Sequence, residues 1–444
     1  MLKRKMLDTL LHWRANKGTE CLLIKGARQV GKSFIVEHFG RREYDSYLEL
    51  DFIKRPELRG IFQDSLDPDR IYQNISLLIP DSRFVEKDTL IFLDEIQECP
   101  EARSALKYLA QDGRYDVIAS GSLLGIQYRE ATPRTSIPVG YERTIEMHPL
   151  DFEEFLWARG LEGQATADLR RYLDDLEAVP QVIHTSMMRY LREYLALGGM
   201  PGVVQSFVDT NNYNEAHGEQ VKLLDSYLDD IARYAPSAER VKARACYLSL
   251  PRQLAKENTK FQYAAVERGG SSRKFAGSVD WLEGSRIVLP CHAVSSPSFP
   301  LAAYEDEGRF RLYANDTGML MAMYGYEMKA AVIENTLSGP MKGGLYENLV
   351  GSMFAKNEVP LRYWTSQNGN REIEFLVDWH ASAVPVEVKA SRGSTASLNY
   401  LLEQPEIALG YKLIDGNVGK DGKKVTLPLY LAPFLFEKPE PQRP

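Results

Sequence analysis

"GARQVGKS", residues 26–33, and "LIFLDEI", residues 90–96, are two stretches whose residue types and spacing could do chemistry on a phosphate. The first satisfies G-x-x-x-x-G-K-[ST] at every required position, between the apolar run "CLLI" and a helix-like segment. Gly26 and Gly31 let the backbone curl, so that the amides of Ala27, Arg28, Gln29, Val30 and their neighbours face phosphate oxygens. A helix starting near Gly31 adds the positive end of its dipole. Lys32 is expected to reach the β- and γ-phosphates of ATP, and the Ser33 hydroxyl to ligate Mg2+. In the second stretch an apolar run ends in Asp94 and Glu95. Asp94 is placed to hold the Mg2+, and Glu95 to orient and deprotonate an attacking water. One strand, "YLELDF", falls between the two stretches, which implies a sheet order of 5-1-4-3-2. In that order a polar residue on the fourth strand reaches the γ-phosphate, and Ser120 or Ser122 of "VIASGS" fits. Fast hydrolysis calls for an arginine as well. Arg129, Arg134 and Arg143 are candidates, and the sequence singles out none of them.

A second set of residues lies near the other end of the chain. Glu387 and Lys389 are two apart in "PVEVKAS", so on a strand both face one side. Glu374 is on the preceding strand, and Glu347 on the helix before that. Carboxylates on neighbouring strands can hold Mg2+, and an adjacent lysine can position a water or stabilise a pentacoordinate phosphate. That is the logic of restriction-endonuclease-like nucleases, and it gives an alternative activity.

The elements that must position these groups follow from hydrophobic patterning. "CLLIKG", "YLELDF", "TLIFLDEI", "YDVIASGS" and "RTIEMHP" read as strands with helices between them, the pattern of a parallel sheet covered on both faces. After Pro149 the chain becomes helical and acidic, as expected of a lid over residues 150–235. From Arg240 to Asp280 Lys and Arg outnumber Asp and Glu. Two helices and a hairpin over residues 236–325 outline a winged helix. Its basic segment, with Arg273 and Lys274 at a helix start, is where DNA would bind. From residue 339 to 436 a helix ("LYENLVGSMFAKN") leads into the strands "LRYWTS", "REIEFLVDW" and "AVPVEVKAS". The expected fold class is α/β multidomain, with residues 1–149 as the P-loop domain.

Composition narrows the setting. The net charge of −7 does not steer the whole molecule towards nucleic acid, so such contact needs a local basic patch. No window approaches the ~20 apolar residues that cross a bilayer, and no membrane partner is expected. The amphipathic start "MLKRKMLDTLLHWRANKG" reads as a surface helix. Cys21, Cys99, Cys246 and Cys291 form no CxxC pair, which argues against a disulfide framework or structural zinc. A reducing cytoplasm is the expectation.

With these motifs assembled, the chain resembles a prokaryotic family of AAA-superfamily ATPases. Its members join a P-loop domain, a winged helix and a C-terminal restriction-endonuclease-like domain of unknown function. The resemblance is carried by "GARQVGKS", "FLDEIQ", "ASGSLL", "PLDFEEFL", "GGMPGVV", "YANDTG", "LYENLV" and "VPVEVKAS", in that order. It implies ATP binding and hydrolysis through Lys32, Ser33, Asp94 and Glu95, and a nuclease-like position for Glu347, Glu387 and Lys389. Where the family reads E-V-D-F, this chain has Glu372-Ile373-Glu374-Phe375, so one carboxylate arm is longer by a methylene. The expected function is a Mg-dependent, ATP-driven switch that repositions the winged helix and the nuclease-like domain. The alternatives are an ATP-gated DNA nuclease and a signalling ATPase whose C-terminal domain is an inactive scaffold. A protein partner and oligomerisation are compatible with each.

Overall fold

A computed structural model describes residues 2–122, 140–256, 260–390 and 394–437. Five strands, β1 (Cys21–Gly26), β2 (Ser46–Asp51), β3 (Thr89–Asp94), β4 (Asp116–Ser122) and β5 (Glu142–Glu146), pair in parallel in the order β2-β3-β4-β1-β5. Read from the other edge this is the expected 5-1-4-3-2. β3 and β4 are buried at every residue because helices cover both faces, whereas the edge strand β2 alternates buried and half-buried. Helices α1 (Lys5–Asn16) and α2 (Lys32–Glu43) cover one face through Leu10, Trp13, Val36 and Phe39. Helices α3 (Pro68–Leu78) and α4 (Pro100–Asp112) cover the other through Ile71, Ile75, Leu106 and Leu109. The basic N-terminal segment is therefore a helix, with its apolar stripe turned into the core.

Beyond β5 come the helices Phe152–Ala158, Gln164–Asp174, Gln181–Leu197, Pro201–Thr210 and Tyr213–Tyr234. The first is closed by a capping box between Asp151 and Glu154. Two short helices, Arg240–Leu248 and Leu250–Leu254, then meet at Ser249, just before Pro251. Helix Ser272–Gly284 then leads to an antiparallel hairpin of β6 (Val288–Val294) and β7 (Glu305–Ala314).

The C-terminal part builds on this hairpin. After helix Gly339–Lys356, strands β8 (Arg362–Thr365) and β9 (Glu372–Ile373) extend it into a sheet of order β7-β6-β8-β9, with β8 parallel to β6. This sheet crosses the expected boundary between residues 325 and 339. A third sheet, β10-β11-β12-β14-β13, contains β10 (Phe375–Trp379), β11 (Ser382–Lys389), β12 (Gly410–Ile414), β13 (Gly419–Asp421) and β14 (Lys424–Pro428). The stretch read as one strand, "REIEFLVDW", breaks at Glu374, so β9 and β10 serve different sheets. One apolar cluster runs from Leu10 through the helical region to Phe436. Among the described residues no helix is long and apolar enough to cross a membrane.

Candidate functional site

Gly26 closes β1 where the backbone meets β5. A Cβ there would lie 2.3 Å from the Met147 carbonyl oxygen, so the position admits only glycine. Gly31, at φ +96°, then hands the chain to α2, with Gln29 also left-handed at φ 61°. The first-turn amides of α2 have no partners within the helix and carry its positive end. Lys32 is 6% exposed, and its ammonium donates to the carbonyls of Gly26 (3.1 Å) and Ala27 (2.9 Å). Burial lowers its pKa, against the pull of Glu95 and Asp94. A buried ammonium beside partnerless amides fits a phosphate. Ser33 follows in the same turn, half-buried.

Asp94 ends β3, buried, and its Oδ1 accepts from the Glu95 amide at 3.0 Å and from the Ser120 hydroxyl. The Ser120 hydroxyl thus lies against Asp94. Glu95 takes a left-handed φ of 54° that turns it off the strand. The Gln97 side-chain amide donates to Glu95 Oε2, while Gln97 Oε1 is buried without a partner. Burial raises the Glu95 pKa, opposed by Gln97 and Lys32. Glu49 and Asp51 of β2, which sequence reasoning missed, bring carboxylate oxygens within 4.8 Å of each other and of Asp94. Asp51 pairs directly with Asp94 across the sheet. The signal was in "YLELDF", where acids two apart on a strand share a face. Hard oxygen donors of this kind suit Mg2+.

The phosphate loop is held from outside the sheet. Arg28 pairs with Asp230 of helix Tyr213–Tyr234, and the Tyr227 hydroxyl of that helix donates to the Arg28 carbonyl at 3.1 Å. Gln29 reaches Ser226 of the same helix at 3.5 Å. Arg4 donates to the carbonyls of Val30 (3.0 Å) and His148 (2.6 Å) and pairs with Glu154 (3.1 Å). Arg129 and Arg134 lie outside the described residues. Arg143 is exposed on β5, three strands from β3.

Glu347, Glu374 and Lys389 line one cavity in the C-terminal part, with Glu387 beside Lys389. Lys389 donates to Glu374 at 2.8 Å and lies 3.6 Å from Glu387. The second Glu374 oxygen accepts from the Val388 amide at 3.1 Å. Glu347, on the helix, accepts from Tyr313 and pairs with Arg311, both from β7. Arg311 also pairs with Glu372. Burial raises Glu374, and pushes Glu387 up to about 7. Glu347, Glu374 and Glu387 do not gather their oxygens as Glu49, Asp51 and Asp94 do, the one such group among the described residues. In the basic segment Lys274 pairs with Glu267 (2.7 Å) and Lys242 with Glu239 (2.9 Å). Arg244, Arg252, Arg268 and Arg273 make no ion pair among the described residues.

Residues 18–156 match the family model described as AAA domain. These residues are therefore similar to an AAA domain. Residues 188–330 and 342–430 match two families, each described as a domain of unknown function, DUF8612 and DUF4143. No curated protein matches the chain. Similar solved structures include the Walker-type ATPase PABY2304 of Pyrococcus abyssi, at 14% identity and TM-score 0.43, over 73% of this chain and 96% of that one. The ORC2 protein of Aeropyrum pernix, solved as ADPNP–ADP complexes, is 13% identical with TM-score 0.35, over 75% and 94%. AMPPCP-bound DnaA from Aquifex aeolicus is 12% identical with TM-score 0.29, over 62% and 86%.

Proposed function

We propose that this AAA-type chain binds ATP with Mg2+, hydrolyses it, and passes the nucleotide state from the phosphate loop to the helical region. The observation that carries the reading is the convergence of a buried Lys32 with Asp94 and Glu95, beside the partnerless amides of α2. Lys32 stabilises negative charge on the terminal phosphates. Glu95, held by Gln97, accepts the proton of the attacking water. Ser33 and Asp94 would hold Mg2+, with Glu49 and Asp51 beside them, and the ion would neutralise charge on the β- and γ-phosphates. Arg28, Tyr227 and Asp230 link the loop to the long helix Tyr213–Tyr234, the route by which phosphate occupancy reaches the residues beyond it.

The units moved are a winged helix over residues 236–325 and a restriction-endonuclease-like unit over residues 339–436. The four unneutralised arginines of the basic segment favour DNA as a partner, in the cytoplasm. ATP turnover tests the core of this reading. Lys32→Ala should lose nucleotide binding, and Glu95→Gln should keep binding while losing at least ~100-fold in turnover. Full turnover in Glu95→Gln would remove the base assignment. Salt-sensitive DNA binding that falls in Arg244→Ala/Arg273→Ala tests the partner.

A further inference from the structure

The C-terminal cluster does not fit the divalent ion that a nuclease reading requires. We infer that Arg311 of β7 is the resident cation of this cluster, which is an ionic joint between the hairpin and the C-terminal sheet. Arg311 is 0% exposed, and its two terminal nitrogens face Glu347 and Glu372. Its guanidinium also lies over the Tyr363 ring, 4.2 Å from the centroid. A guanidinium stays protonated under all ordinary conditions, so its charge cannot be switched off to admit a metal. A divalent ion on Glu347 would lie within a few ångströms of that charge, in a buried setting where repulsion is poorly screened.

Glu374 is committed as well, whereas Glu387 keeps one buried carboxylate oxygen without a partner. Glu374 takes the Lys389 ammonium on one oxygen and the Val388 amide on the other. Lys389, which a nuclease would turn towards a phosphate, is spent on Glu374 and Glu387. Tyr313 adds a hydroxyl donor to the same Glu347 oxygen that faces Arg311. The cluster therefore balances its acids with two internal cations and a phenol, although Glu347, Glu372, Glu374 and Lys389 line a cavity of about 390 Å³. Arg311 and Tyr313 come from β7, whereas Glu347, Glu372, Glu374 and Lys389 follow residue 339. The charge balance thus depends on contact between the two parts of the chain.

Mn2+ titration of the full chain without nucleotide, read by calorimetry and electron paramagnetic resonance, tests this. Bound Mn2+ should be unchanged in Glu374→Gln and Glu387→Gln, and any wild-type uptake should be lost in Asp94→Asn. Mn2+ uptake that Glu374→Gln or Glu387→Gln abolishes would overturn the inference, as would Mn2+-dependent DNA nicking lost in Lys389→Ala. A charge-balance series gives the second readout. Arg311→Met should lower the melting temperature by roughly 5–10 °C. Adding Glu347→Gln and Glu372→Gln should recover at least half of that loss, and a further additive loss would count against the joint. The wild-type titration decides the matter even if Arg311→Met fails to fold.

Discussion

Glu95 shows how a single side chain is prepared by its neighbours. Its raised pKa comes from burial, and the Gln97 amide works against that rise. The base form is therefore lost on the acid side at a pH above the usual carboxylate range, and turnover should decline there. Removing the donor in Gln97→Ala should raise the Glu95 pKa further and move this limb to higher pH, with ATP affinity retained. An unmoved pH profile would show that Gln97 does not position the base. Glu387 offers a stability test of the same kind. Its folded pKa of about 7 exceeds the ~4.3 of an unfolded glutamate, so the native state holds a proton that the unfolded chain releases between them. Stability from this group falls as pH rises through that window. Thermal melts of Glu387→Gln should match wild type near pH 4 and exceed it at pH 8. Lys32, Asp94 and Glu95 were legible because each belongs to a short contiguous motif. Arg311 was not, because its partners Glu347 and Glu372 arrive through sheet pairing and a helix far along the chain, and no local spacing records that.

At the scale of elements, the strand order could be read in advance because a parallel sheet with one strand between the phosphate loop and the acidic strand has few right-handed solutions. The clamp on that loop could not. Arg28 and Asp230 are separated by the whole helical region and meet only because helix Tyr213–Tyr234 packs beside the loop. Asp230 is 2% exposed, whereas the Arg28 side chain keeps 28% of its surface in solvent. Removing each partner should therefore cost different amounts. Arg28→Ala strands a buried carboxylate and should cost ~3 kcal/mol, while Asp230→Ala leaves an arginine that water can solvate and should cost ~1 kcal/mol. Denaturant unfolding of the two variants measures the difference, and equal losses would mean the pair is not the asymmetric clamp described.

Across the whole molecule, the quoted motifs that carry no obvious chemistry meet at one junction. The Leu150 amide donates to the Gly199 carbonyl, and the Gly199 amide to Asp316, both at 2.7 Å. Asp316 also caps helix Thr317–Tyr324, and Lys356 reaches the Leu150 carbonyl at 2.9 Å. "PLDFEEFL", "GGMPGVV" and "YANDTG" were visible as motifs, but their meeting point is a tertiary fact with no sequence signature. A Cβ on Gly199 would lie 2.1 Å from the Leu150 carbonyl oxygen, so Gly199→Ala should cost about 3 kcal/mol, read by denaturant unfolding. The sheet β7-β6-β8-β9 bears on how this chain can be dissected. A fragment beginning at residue 339 would carry β8 without β6, baring a row of amides and carbonyls that invites edge-to-edge self-association. The same cut would leave Glu347 and Glu372 without their guanidinium. Gel filtration of such a fragment should give aggregates or strand-exchanged dimers, and genetic excision of the last hundred residues should cripple the hairpin as much as it removes the tail.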